Sequence, residues 1–205
     1  DSDPDAETGQ VWAEWLPGAD QADKVDQLLD ALEGAEDPYQ RLAVTALLSE
    51  ADFDSRRRAE AIIDGPVAAY ALMALDTELG GEPDEEDDRL NVLDPGPGVD
   101  DLPAVLSDGR SARQALAELP RSLSMLPILD MLWIQMMDDP DDLFATTVEF
   151  DTSGGTTFIE ILDDLWRVDM PEAAELLEFL GREHPEKKVS KAARKALFRF
   201  RNAKV

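Results

Sequence analysis

The sequence predicts an all-α protein of short helices packed as stacked hairpins. Three observations carry that expectation. Apolar residues recur at helical spacing in one segment after another. Gly, Pro and Asp cluster in the breaks between those segments. The last segment, residues 185–205, is amphipathic and basic on an otherwise acidic chain, with eight of the 19 Lys and Arg residues and one of the 46 Asp and Glu residues.

Residues 1–20 are expected to form a flexible acidic segment, in which Trp12, Trp15 and Leu16 staple the chain onto the first helices ahead of Pro17-Gly18. Asp1, Asp3 and Asp5 have the spacing that opens a calcium loop, but Ala6 stands where such a loop needs Gly and Trp12 where it needs Glu. Val25, Leu28, Leu29 and Leu32 mark a helix over 21–33 ended by Gly34, and Asp37-Pro38 opens its partner, which runs to about 49. A second hairpin follows, with Ala59, Ile62 and Ile63 on a helix from about 54, a break at Asp64-Gly65-Pro66, and a helix reaching Leu79. Arg56, Arg57 and Arg58 are expected to pair with neighbouring carboxylates, an anion site being the alternative.

Residues 80–101 contain four Gly, three Pro, nine acids and one Arg, the composition of a linker or long loop dividing 21–79 from 102–205. Its charge complements that of the basic tail. Beyond it, 102–119 predicts one or two short helices. Residues 123–137 are apolar almost all round and hold four of the six Met residues, which suits a central core helix or a Met-rich groove. The Thr- and Gly-rich stretch 144–158 is expected to be a small hairpin across Ser153-Gly154-Gly155 or a plain loop. Ile159, Leu162, Leu165 and Trp166 define the next helix, and Pro171 to Leu180 another that Gly181 closes.

In the basic segment, Val189, Ala193, Ala196, Leu197 and Phe200 fall on one helical stripe. The opposite side collects Lys187, Lys191, Arg194 and Arg201, with Phe198 among them. Two readings of Phe198 follow: a side chain buried against a second neighbour, or an aromatic anchor in a basic surface.

The run from Val189 to Leu197, preceded by Pro185-Glu186, resembles the second helix of a HEAT repeat, an acidic start followed by V-R-x-x-A-x-x-A-L. It departs from that pattern at Ser190, where the family favours Arg, and at Glu186, where it favours Asp. The same frame recurs at Tyr39, Ala43, Ala46 and Leu47, and at Val67, Ala71, Ala74 and Leu75. The resemblance implies a short right-handed α-α superhelix of stacked hairpins whose surfaces hold other molecules.

The remaining residues narrow the chemistry. The chain has no Cys, which removes disulfides and thiolate sites and makes a reducing cytoplasm the expected compartment. The run Leu123 to Met137 is interrupted by Ser124, Pro127, Asp130 and Gln135, too short and polar to span a bilayer. A net charge of −27 disfavours wrapping by nucleic acid or an anionic membrane. Asp exceeds Glu and Arg exceeds Lys, as in a high-GC bacterial or salt-adapted proteome.

Asp138-Asp139-Pro140-Asp141-Asp142, with Asp163, Asp164 and Asp169, resembles the paired metal-binding motifs of isoprenoid synthases. Pro140 breaks the first cluster and the companion basic residues are missing, so turns and helix caps are the expected roles. His184, the sole histidine, is expected at the surface. No phosphate-loop pattern surrounds Gly80-Gly81 or Gly154-Gly155, and no cofactor or metal is expected. These features together predict a non-enzymatic interaction module that docks another protein's acidic segment through Lys191, Arg194, Phe198 and Arg201. The alternatives are nucleic-acid binding through the tail alone and a metal-dependent enzyme using the Asp clusters.

Overall fold

A computed structural model describes residues 11, 14, 16–76, 105–152 and 157–203. Trp12 and Trp15 of the predicted N-terminal staple and the acidic loop 80–101 lie outside the described residues; Leu16, the third staple residue, is half-buried. Within them the protein is all-α, and the only β pairing is an isolated bridge between Val105 and Ser111.

The first two helices are α1 (Gln21–Glu33) and α2 (Pro38–Ser49). Asp20 caps α1 by accepting from the Asp23 amide at 2.8 Å, and Asp37 caps α2 by accepting from Tyr39 at 2.7 Å. Then come α3 (Phe53–Arg56), a 3-10 helix (Arg57–Ile62) and α4 (Ala68–Leu75). Both predicted helical segments of the second pair are present, the first split into α and 3-10 turns and the second ending at Leu75, capped at Asp76, short of the expected Leu79. After the undescribed stretch, α5 (Ala112–Glu118), α6 (Arg121–Ser124) and α7 (Leu126–Asp138) follow. Pro127 sits in the first turn of α7, where its missing amide has no intrahelical acceptor to lose.

The stretch read as hairpin or loop is largely helical: α8 spans Pro140–Thr152, with residues 153–156 outside the described set. The oxygen Oδ1 of Asp139 accepts from the amides of Asp141 and Asp142, which nucleates α8 despite its Thr content. α9 (Phe158–Leu165) opens on a reciprocal capping box between Thr157 and Glu160. α10 (Pro171–Glu183) and α11 (Lys187–Ala203) complete the chain.

Two apolar clusters form the core. α1, α2, α4 and α5 supply Leu28, Leu32, Leu48, Tyr70, Leu72, Leu75 and Ala115 to the first; α7 to α11 supply Leu129, Leu143, Phe158, Leu176, Leu180 and Phe200 to the second. Leu126 touches both. α7 packs on α2 and α4 on one side and on α10 and α8 on the other, so it is central as its composition predicts. Met125 is buried, Met131 and Met136 pack against the second cluster, and Met137 is exposed.

Where the clusters meet, three polar side chains are buried together. Arg41 of α2, 5% exposed, forks onto Asp130 of α7, which has no exposed surface, through Nε–Oδ2 at 2.7 Å and Nη2–Oδ1 at 2.8 Å. The Tyr70 hydroxyl of α4 donates to the same Oδ2 at 2.5 Å, and Arg41 Nη1 donates to the Glu36 carbonyl at 3.1 Å. The hydrogen bond to Asp130 holds Arg41 firmly in its charged form; burial, with the Asp130 carboxylate, pushes the Tyr70 phenol up so that it stays a donor. Asp130 thus looks in sequence like an interruption of an apolar helix, but in the fold it locks that helix to α2 and α4.

Four expectations need correction. The frame at Tyr39, Ala43, Ala46 and Leu47 does not line a core: the first three are exposed, and α2 buries Pro38, Arg41, Val44, Thr45 and Leu48 instead. The frames at Val67 and Val189 are buried. Gly181 does not close α10 but lies inside it, buried, because a Cβ there would stand 2.9 Å from Arg194 Cγ of α11. In the Arg run, Arg57 pairs with Glu60 and Arg58 with Asp26, but Arg56 is buried and makes no ion pair among the described residues. It donates to the Ala74 carbonyl at 3.2 Å, and burial lowers its pKa.

The fourth correction is His184, which is 7% exposed rather than on the surface. Its Nδ1 accepts from the Glu186 amide at 3.0 Å, so the neutral ring carries its proton on Nε2 and donates to Thr147 Oγ1 of α8 at 2.9 Å. Thr147 in turn donates to the Phe144 carbonyl at 2.8 Å, and the Phe144 ring meets the imidazole edge-on, centroids 5.1 Å apart. The ring therefore ties α8 to the turn between α10 and α11. Burial lowers its pKa, outweighing the nearby Glu186 carboxylate.

A proton added at Nδ1 would face the Glu186 N–H, donor against donor. The unfolded chain takes up that proton near pH ~6.5 and the folded chain only at lower pH, so this group's contribution to stability falls as pH drops below about 6.5. Chemical denaturation between pH 7 and pH 5 is expected to show this slope, and His184→Gln to remove it. An unchanged slope in the variant would contradict the buried neutral ring.

Candidate functional site

The predicted binding residues all lie on α11, a 17-residue helix. Its inward stripe of Val189, Ala193, Ala196, Leu197 and Phe200 is buried against α10 and α9. That burial fixes the rotation of the helix and so decides what faces outward. Lys191, Arg194, Phe198 and Arg201 are all exposed and share the opposite face, with Lys187 and Lys195 beside them. Phe198 is 69% exposed, which sets aside its burial against a second neighbour among the described residues and leaves the ring standing among basic side chains. Lys195 belongs to this face although the sequence reading left it out; it lies about 60° round the helix from Phe198.

The edges of the face are bordered by carboxylates. On the α9 side, Asp163 pairs with Arg199 at 2.5 Å and Lys195 at 3.6 Å. Trp166 lies under two guanidinium groups, Arg167 at 4.6 Å and Arg199 at 5.9 Å from the ring centroid. On the α10 side, Glu178 accepts from Arg201 at 2.8 Å. These are exposed pairs, worth little in stability and readily exchanged for another anion. Along the middle, Lys187, Lys191 and Arg194 have no carboxylate at ion-pair distance among the described residues. Arg194 is steadied by donating from Nη1 to the Gly181 carbonyl at 3.0 Å.

The Asp clusters are occupied in other ways. Asp138 accepts from the Tyr39 hydroxyl at 2.6 Å, Asp139 caps α8, and Asp164 pairs with Arg167 at 3.2 Å and Arg121 at 3.6 Å. Among the described residues no three carboxylate or imidazole groups converge into a set able to hold a cation. Nor is any described helix long and apolar enough to cross a membrane. Comparison with family models, with curated proteins and with solved structures finds no match for this chain, which leaves the exposed face of α11 as the basis for a functional reading.

Proposed function

We propose that this protein is a non-enzymatic interaction module, a short HEAT-like helical solenoid whose last helix docks an acidic segment of a partner protein. The observation that carries the reading is Phe198, a large apolar side chain 69% exposed amid Lys191, Arg194 and Arg201 on a chain of net charge −27. Exposed aromatic and Arg side chains are the residue types that most often anchor protein interfaces. The buried frames at Val67 and Val189, and the close seat of α11 on α10 at Gly181, support the HEAT-like part of the proposal. The acidic body repels nucleic acid and anionic lipid, which extend beyond α11, whereas a short acidic peptide confined to that helix meets mainly its basic side chains.

The test is affinity capture from extract of the source cells with the parent chain and with a variant carrying Arg194→Ala, Phe198→Ala and Arg201→Ala. A stoichiometric protein partner held by the parent and lost by the variant is the expected result. Capture of the same set by both chains would remove the tail as a recognition surface.

A further inference from the structure

Resting on that reading, we infer that the docked segment is an acidic α-helix lying along α11, not an extended peptide. The argument starts from register. Lys187, Lys191, Arg194, Phe198 and Arg201 are separated by four, three, four and three residues, the alternation of a coiled-coil seam. At about 100° per residue they fall within a band about 80° wide, running roughly 21 Å along the helix. All five are exposed; Lys187, Lys191 and Phe198 face solvent, while Arg194 donates to the Gly181 carbonyl and Arg201 to Glu178 along the α10 edge of the seam.

A partner helix presents its own side chains at the same alternating intervals of three and four residues, so each cation meets one acidic position and Phe198 meets one hole between four side chains. An extended strand offers same-face side chains about 6.6 Å apart, which drifts out of step with the seam within two contacts. The flanking carboxylates sharpen the choice. Asp163 on one side and Glu178 on the other repel an acidic ligand that strays from the midline, where Lys187, Lys191 and Arg194 lack such partners. A narrow line of positive charge between two negative borders fits one helix laid lengthwise.

The experiment measures fluorescence anisotropy of the full chain with three synthetic probes of about three heptads each. The first is a helical peptide with Glu at seam positions and Ala around one central hole. The second has the same composition with the Glu residues spread round the helix. The third keeps the first probe's order but carries a central Pro that breaks the helix. The first should bind about tenfold or more tightly than the other two and gain helicity on binding. Lys191→Glu with Phe198→Ala, both solvent-facing, should abolish that preference without moving the melting temperature of the chain. Equal affinity for all three probes, or tighter binding of the third, overturns the helical inference and leaves acidic docking standing. No binding by any probe at low salt removes acidic docking and the helical inference together.

Discussion

Asp130→Ala is expected to lower the free energy of unfolding by about 3–5 kcal/mol, the range for a buried ion pair that loses one member. The reason lies in what remains. Arg41, 5% exposed, would keep its charge with Nη2 unanswered and Nε left with only the Tyr70 hydroxyl at 3.3 Å, and that hydroxyl would lose its own acceptor. Water cannot fully replace the carboxylate at a position with no exposed surface. Removing the whole network at once, through Arg41→Met, Tyr70→Phe and Asp130→Leu, should restore most of the loss, since no buried charge is then left unpaired. Urea denaturation followed by circular dichroism reads both effects as shifts in midpoint. A loss below about 1 kcal/mol for Asp130→Ala would mean that the carboxylate is not held in this pair.

Two phenylalanines two residues apart on α11 should respond in opposite ways. Phe200→Ala is expected to cost about 3–5 kcal/mol, because the ring is 6% exposed within the second core cluster and its removal leaves a cavity between α9, α10 and α11. Phe198→Ala should change stability by no more than about 0.5 kcal/mol, because its ring is 69% exposed. The pair of measurements fixes the rotation of α11, on which the proposed binding face depends. Comparable losses from both substitutions would place Phe198 in a second buried contact and withdraw it from that face.

Much of the helical framework is legible in the sequence because its signals are local. The limits of α1 and α2 follow from Asp20, Gly34 and Asp37-Pro38, residues that act on their own or adjacent backbone. The seven-residue alternation on α11 is equally local, and it places Lys191, Arg194, Phe198 and Arg201 on one face without reference to any neighbour. The helix α8 is not legible because Val, Thr and Gly composition weighs toward strand or loop, while the Asp139 cap and contacts with α7 outweigh those propensities.

The limits of most helices and the basic side of α11 are legible from the chain alone, since both depend on side chains within a turn or two of one another. Which polar residues are buried follows from packing between distant segments. Arg41 and Asp130 are 89 positions apart, and nothing near either one announces the other. His184 lies beside charged Glu183 and looks like a surface residue until Thr147 and Phe144, far away along the chain, close over it. Gly181 looks like a helix stop until Arg194 packs where its Cβ would be. The exposure of Phe198 is not legible for the same reason: periodicity gives the direction of a side chain, but whether something covers it depends on elements distant in sequence.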